Sequence, residues 1–245
     1  MSDRVRADQR VLDLGLAPTR SKAQALILAG EVLDADGHRV QKSGQQVSAQ
    51  ALLTLRGEPM RYVSRGGYKL EAALEAFAID PRGKTALDVG ASTGGFTDCL
   101  LQRGAERVYA LDVGYNQLVW ELRNDPRVVV IERTNIRNAT DAHIPESVDL
   151  IVFDVSFISL QLVVPPAMTF AKRSLELVAL VKPQFEVGKE RVGKGGIVRD
   201  DDARAEVVAS IERFFLSQGL TVRGTIESPI TGAKGNQEYL ISAMR

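Results

Sequence analysis

Cysteine is all but missing from this chain: Cys99 is the single one in 245 residues. No intrachain disulfide can form, and a lone cysteine inside an expected helix reads as a reduced packing residue. Net charge is missing too, because 31 Lys and Arg balance 31 Asp and Glu. That excludes a uniformly basic coat, so any nucleic-acid site must be a local patch. Long apolar runs are also lacking. No stretch approaches the ~20 consecutive apolar residues of a membrane-spanning helix, and the start "MSDRVRADQR" has no apolar centre of the signal-peptide kind. There is no internal repeat and no low-complexity tract. These absences lead to the expectation of a cytoplasmic, soluble protein with no membrane partner. What remains is ordinary globular composition, 44% hydrophobic and 25% charged, long enough for one large domain and a small one.

Two halves differ in texture. Residues 3–57 carry two short helical patterns, "RADQRVLDLGL" and, after Pro18, "TRSKAQALILAG". Thr19 or Ser21 can cap the second, and Gly30 stops it. Alternating pieces follow, "EVLDADGHRV" and "QQVSAQALLTL", with "DADG" as a hairpin turn. A module of ~55 residues buries little and should be marginal on its own. From Lys84 onward, strand-like runs ("TALDVG", "RVYALDVG", "RVVVIE", "VDLIVFDV", "LELVALVK", "GLTVRGTIE", "EYLISAM") alternate with helical ones. The helical stretches are "GGFTDCLLQRG", "YNQLVWELR", "LQLVVPPAMTFAKR" and "DDARAEVVASIERFFLSQG". Continuous apolar strands separated by helices predict an α/β fold with a mostly parallel sheet covered on both faces. The last two strands have no helix between them and should form an antiparallel edge hairpin. The bridge "GEPMRYVSRGGYKLEAALEAF" is extended at its front and becomes an amphipathic helix near Gly67–Lys69.

The stretch "LDVGASTGGFTDCLLQRG" places Asp88 at a strand end, then Gly90, Gly94 and Gly95, then a helix. Small residues let a ligand approach the backbone, and the helix start offers free N–H groups. A dinucleotide fingerprint reads G-x-G-x-x-G, whereas the spacing here is G-x-x-x-G-G. The anionic Asp88 beside the loop suits a ligand carrying an ammonium group, such as the methionine end of S-adenosylmethionine, better than a pyrophosphate. Asp112 ends the next strand, where an acidic residue meets ribose hydroxyls. Taken alone it would be a turn residue; beside the glycine loop it points to a nucleoside cofactor.

Four more charged residues sit at element ends. Lys69 opens a helix, Asp154 ends the strand in "LIVFDVSFISL", Lys182 ends "LVALVKPQFE", and Glu238 begins the last strand in "GNQEYLI". Each has a plain alternative as a cap or solvated residue. Jointly they would form an alternating cluster suited to deprotonating a weakly acidic alcohol. A second cation and partial burial both favour the neutral form of an amine. A neutral Lys182 could then accept a proton from a ribose hydroxyl as it attacks a methyl group. Asp154 would steer the ammonium groups, Lys69 would favour the neutral Lys182, and Glu238 would hold a lysine or the hydroxyl.

The runs "VSRGGYKL" (63–70), "LDVGASTGGFTD" (87–98), "DVGYNQLVWELRNDPRV" (112–128), "FDVSFISL" (153–160) and "LVKPQFEVGK" (180–189) resemble the TlyA or haemolysin-A-like rRNA 2′-O-methyltransferases over nearly the whole chain. The resemblance implies a Rossmann-like class I methyltransferase sheet and S-adenosylmethionine as cofactor, with cytidines of small- or large-subunit rRNA as targets. The Lys–Asp–Lys–Glu tetrad shared with FtsJ-like methyltransferases lands on Lys69, Asp154, Lys182 and Glu238. The cofactor set is Asp88 with Gly90, Ser92, Gly94 and Asp112, and "ERTNIRN" would supply adenine contacts at Asn135 and Ile136. The opening residues are similar to a ribosomal-protein-S4-like α+β RNA-binding module, through Arg6–Asp8, "GLAPTRSKA" and "GEVL". Asp36 in the turn departs from that pattern. The implied organisation is an S4-like domain over 1–58, a linker over 59–68 and a methyltransferase domain over 69–245.

Arg6, Arg10, Arg20 and Lys22 could form a basic face that meets phosphates, or an ordinary solvated helix face. Arg65 in the bridge and Lys189 in the long segment 183–199 join them as expected contacts to rRNA or ribosomal subunits. That segment, "PQFEVGKERVGKGGIVR", is expected to be a mobile flap that clamps RNA. No metal is expected. Three other functions compete. An intact tetrad and glycine loop argue against a non-catalytic rRNA-binding or ribosome-assembly factor. The lack of a spanning segment or strongly amphipathic cationic helix argues against a membrane-lytic haemolysin. The loop spacing argues against a nucleotide-dependent dehydrogenase.

Overall fold

The computed structural model describes residues 4–56, 60–232 and 235–245, apart from the Lys189 side chain. The chain divides into two compact units, Met1–Arg61 and Tyr62–Arg245.

The first unit runs β1 (Arg4–Arg6), α1 (Ala7–Asp13), α2 (Arg20–Leu28), β2 (Val32–Leu33), β3 (Gln46–Ser48) and β4 (Thr54–Leu55). Thr19 caps α2, its hydroxyl accepting from the Lys22 amide at 3.2 Å. Gly30, at φ 73°, follows the helix end. The Asp34–Gly37 turn forms, with the Asp34 carboxylate accepting from the amides of Asp36 and His38. The expected hairpin does not extend from it. The turn closes only a bridge between Leu33 and Arg39; β2 pairs with β4, and β3 with β1, both antiparallel. A second turn, closed by the Gln45 amide on the Lys42 carbonyl, redirects the chain to β1. Val32, Val40 and Leu53 are thereby buried beside Ala7, Val11 and Ile27.

The second unit runs α3 (Gly66–Ala76), β5 (Thr85–Val89), α4 (Gly95–Gln102), β6 (Arg107–Leu111), α5 (Trp120–Arg123), β7 (Val128–Ile131), β8 (Val148–Phe153), α6 (Leu160–Met168), β9 (Ala171–Val181), α7 (Pro183–Glu186), α8 (Asp201–Ser217), β10 (Thr221–Glu227) and β11 (Tyr239–Met244). Seven strands form one sheet in the order β10-β11-β9-β8-β5-β6-β7. Strands β5 to β9 pair in parallel, and β11 runs antiparallel to both β9 and β10. The expected α/β fold with its antiparallel hairpin is present, with β11 inside the sheet and β10 at its edge.

Alternation along each strand builds two cores. Leu87, Tyr109, Ile151 and Phe153 pack with Val163 of α6 and with Val207, Ile211 and Phe215 of α8. On the other face Ala86, Val108, Leu150 and Val178 pack with Leu70 and Leu74 of α3 and with Phe96 and Cys99 of α4. Cys99 is fully buried, in keeping with its reading as a packing residue. The strand order reverses between β5 and β8, and in open α/β sheets such a switch point leaves a crevice beyond the carboxyl ends of the strands.

Three elements differ from expectation. The helix expected over "YNQLVWELR" shrinks to α5, because Asn116 sits in the left-handed region (φ 55°) and the Val119 amide turns to the Thr93 carbonyl. The helix expected through Arg173 ends at Met168, and Ala171 already pairs with Val148. The bridge was expected to be a linker over 59–68. Pro59 lies outside the described residues. Tyr62, however, is 1% exposed in the second unit's core, and the Val63 amide donates to Asp98 of α4 at 2.8 Å.

Candidate active site

The turn from β5 to α4 must bend tightly under the chain leaving β8. Gly90 has φ 92°, and a Cβ there would stand 2.7 Å from the Asp154 carbonyl oxygen; only glycine meets both conditions. The bend delivers the Ser92 amide to Asp112 Oδ2 at 2.8 Å, while the Gly114 amide donates to Asp112 Oδ1 at 2.6 Å. Both Asp112 oxygens are thus oriented, with lone pairs still free to accept. It lines a cavity of about 570 Å³ together with Gly90, Ser92, Asn135, Ile136 and Asp154, a size that suits a nucleoside-bearing small molecule. Asn135 caps the short turn after it, its Oδ1 accepting from the Arg137 amide at 3.1 Å. Ile136 is 3% exposed and gives the cavity an apolar wall.

A second cavity of about 340 Å³ adjoins the first, and Gly90, Ser92 and Asp154 line both. Into it project two ion pairs. Lys69, in the first turn of α3, meets Glu238 Oε2 at 2.5 Å. Lys182, just beyond β9, meets Asp154 Oδ1 at 2.6 Å and donates to Ser156 Oγ at 2.9 Å. The side chains of Lys69, Lys182 and Glu238 are 11%, 10% and 2% exposed. All four sequence-predicted charges therefore converge, as two lysine–carboxylate pairs. Their near-burial is what pairing makes tolerable. Arg65, at the start of α3, stands exposed on the rim of the same cavity.

Two residues expected on the cofactor are not on either cavity wall. Asp88 is fully buried. Its Oδ2 accepts from Thr97 Oγ1 at 2.6 Å, and its Oδ1 has no hydrogen-bond partner. Burial pushes its carboxyl up to about 7, with the Asp154 and Asp112 carboxylates adding to the rise. Gly94 (φ 100°) precedes α4, and a Cβ there would collide with Leu122 and Leu118; its role is to let α5 approach.

Two residues at the site went unnoticed in the sequence. Ser156 and Phe157 line both cavities. Phe157 is 89% exposed, holds φ 64° and lies with its ring 5.0 Å from that of Phe185. A bulky residue in the left-handed region is an outlier, and such strain gathers at functional sites. Only its place three residues after Asp154 in "DVSF" could have drawn attention.

The segment 183–199, expected to be a mobile flap that clamps RNA, carries a short helix and several ties to the rest of the unit. Pro183 opens α7, where a missing N–H costs nothing. Glu186 accepts from Ser159 Oγ at 2.6 Å and from the Leu160 amide at 2.9 Å. Arg191 pairs with Glu206 and Asp200, Val198 is 1% exposed, and its amide donates to Asn236 at 3.1 Å. The Lys189 side chain falls outside the described residues.

In the first unit, Asp8 is fully buried and gathers the basic residues. Its carboxylate accepts from Arg6 Nε and Nη2 at 3.0 and 2.9 Å, Arg20 Nε at 3.2 Å and Gln24 at 2.8 Å. The Arg6 guanidinium holds it well below the usual carboxylate range. Arg6 and Arg20 stay about half exposed, and Lys22 is exposed. Arg10 instead donates to the Ala51 carbonyl at 2.9 Å.

Comparison with known proteins adds a family to this geometry. Residues 62–245 match the family model of FtsJ-like methyltransferases. The chain is 50% identical over 242 residues to the 16S/23S rRNA (cytidine-2′-O)-methyltransferase TlyA of Mycobacterium tuberculosis, covering 98% of this chain and 90% of that one. It is 43% identical over 237 residues to hemolysin A of Brachyspira hyodysenteriae, covering 96% and 98%. A solved hemolysin-class structure from Streptococcus thermophilus superposes with a TM-score of 0.76 at 42% identity, covering 100% of this chain and 90% of the other.

Proposed function

The chain belongs to the FtsJ-like methyltransferases, within the TlyA or hemolysin-A-like group, and we propose that it methylates the ribose 2′-hydroxyl of a cytidine in rRNA. The observation that carries this reading is the adjoining of two cavities at Gly90 and Asp154. One is shaped for a nucleoside cofactor, and the other is lined by two lysine–carboxylate pairs, of which only Asp154 is appreciably exposed.

S-adenosylmethionine fits the larger cavity by its donor set: the Asp112 carboxylate for a ribose diol, Asn135 and Ile136 beside an adenine, and the close backbone at Gly90 and Ser92. When bound it supplies an electrophilic methyl group on sulfonium sulfur. The chain's part is to hold the acceptor in line with that methyl and to take its proton. Lys182 faces the junction from the end of β9 and is the proton acceptor. Asp154 fixes it, while Glu238 and Lys69, lining the same cavity, hold the ribose. The exposed ring of Phe157 at the shared rim offers a stacking face for an unpaired base.

Arg6, Arg20 and Lys22 on the first unit, and Arg65 and Lys189 on the second, carry the backbone phosphates. The S4-like module over 1–58 thus serves as the RNA-binding part and the remainder as the catalytic part, working in the cytoplasm on rRNA or ribosomal subunits. Among the described residues no helix is long and apolar enough to cross a membrane.

The test is methyl transfer to purified ribosomal subunits. Lys182→Ala should lower the rate by about 10²–10⁴, the usual share of a general base, while still binding S-adenosylmethionine. An unimpaired rate would remove the lysine from the chemistry.

A further inference from the structure

A neutral primary amine has two N–H bonds and one lone pair. Both N–H bonds of Lys182 have an acceptor in place: Asp154 Oδ1 at 2.6 Å and Ser156 Oγ at 2.9 Å. Among the described residues the Lys182 side-chain nitrogen has no other polar partner, and what it meets beyond these two is the 340 Å³ cavity that it lines. With only Asp154 as acceptor, the amine could turn about its Cε–Nζ bond and point an N–H, rather than its lone pair, at the cavity. A second acceptor on another side removes that freedom.

We propose that Ser156 is a positioning residue for methyl transfer: its hydroxyl oxygen occupies the second N–H of the Lys182 amine, so that the lone pair faces the acceptor hydroxyl. This rests on the proposed role of Lys182 as proton acceptor and deepens it. In the step so arranged, the ribose O–H proton passes to the Lys182 lone pair and a C–O bond forms to the methyl carbon. The C–S bond breaks with its electron pair remaining on sulfur, which becomes a neutral thioether. The new ammonium then returns its proton to water.

Nothing else in the surroundings requires a hydroxyl at this position. Ser156 is exposed, makes no described hydrogen bond besides that to Lys182, and lies outside both hydrophobic cores. Removing it should leave folding alone. Threonine carries the same hydroxyl and should replace it.

The experiment compares full-length wild type, Ser156→Ala, Ser156→Thr and Lys182→Ala in single-turnover methyl transfer to purified ribosomal subunits, with S-adenosylmethionine affinity, subunit affinity and Tm measured beside it. Ser156→Ala should slow the step about tenfold, the worth of one hydrogen bond. Its affinities and Tm should match wild type, and Ser156→Thr should recover most of the rate. An unchanged rate in Ser156→Ala overturns the inference. So does a slowed rate that threonine does not recover, or one accompanied by an equal loss of cofactor affinity or of stability. Lys182→Ala separates the two claims: if that variant still turns over normally the lysine reading itself fails, whereas an inactive Lys182→Ala beside an unimpaired Ser156→Ala overturns only the role of the serine.

Discussion

Glu238 is 2% exposed and Lys69 11%, so neither charge can be left without the other. Glu238→Gln would strand a buried ammonium, which costs about 3–5 kcal/mol. A thermal melt should show a clear drop in Tm together with lost methyl transfer. Lys182→Ala should cost much less stability, because Asp154 is a quarter exposed and can be hydrated. Gly90→Ala should abolish cofactor binding, since its methyl would press on the Asp154 carbonyl at 2.7 Å in a backbone conformation that costs about 1–3 kcal/mol for alanine; calorimetric titration with S-adenosylmethionine reads this. Asp88 gives a pH signature. Its folded-state pKa is raised from 3.8 to about 7. Its contribution is therefore whole below about pH 4 and is lost as pH rises through about 7. Asp88→Asn should gain stability over wild type at pH 8, by on the order of a few kcal/mol, and the gap should narrow as pH falls below about 7 and close only near pH 4 in melts of the ligand-free protein. At this scale the tetrad was legible because charges that interrupt apolar runs have few places to go. Ser156 and Phe157 were not legible, because a left-handed phenylalanine and a hydrogen bond across 26 residues leave no mark on composition or period.

Among elements, the parallel strands announced themselves through continuous apolar runs whose alternate residues feed two cores. βα alternation then implied the parallel pairing, while the order of the strands and the crevice between β5 and β8 come from the structure. The misread elements share a cause: local pattern lost to a tertiary partner. Leu118 and Leu122 read as helix, yet they serve to fill the space left by Gly94, and only four residues remain helical. The segment 183–199 read as a flap because glycines and charges dominate it, whereas its anchors come from elsewhere in the chain: Ser159, Glu206 and Asn236. Glu186, inside the segment, holds it to Ser159, and partial burial raises its carboxyl pKa. It satisfies the Leu160 amide at the start of α6. Glu186→Ala should therefore cost about 1–2 kcal/mol and speed proteolytic cleavage within 187–199. Equal cleavage rates would show that Glu186 does not hold the segment down.

For the whole molecule, the two units differ sharply in what they bury. Among the described residues the core of the first is eight residues, three of them alanine, against two extended clusters on the faces of a seven-stranded sheet in the second. The first should unfold at the lower temperature, as a separate transition in calorimetry. The division of labour proposed between them was readable from the change of texture along the chain, but the place where the second unit starts to pack, at Tyr62, was not. That tyrosine reaches its core only by resting on Gly67, a contact with no sequence period. The central claim is that Lys182 takes a proton from a ribose hydroxyl while a methyl group arrives from the adjoining cavity. The most direct test is single-turnover transfer of isotope-labelled methyl from S-adenosylmethionine to ribosomal subunits, followed by nucleoside mass spectrometry. The label should appear as 2′-O-methylcytidine with wild type and vanish with Lys182→Ala. Label on a nucleobase, or an undiminished 2′-O-methyl signal from Lys182→Ala, would contradict the account.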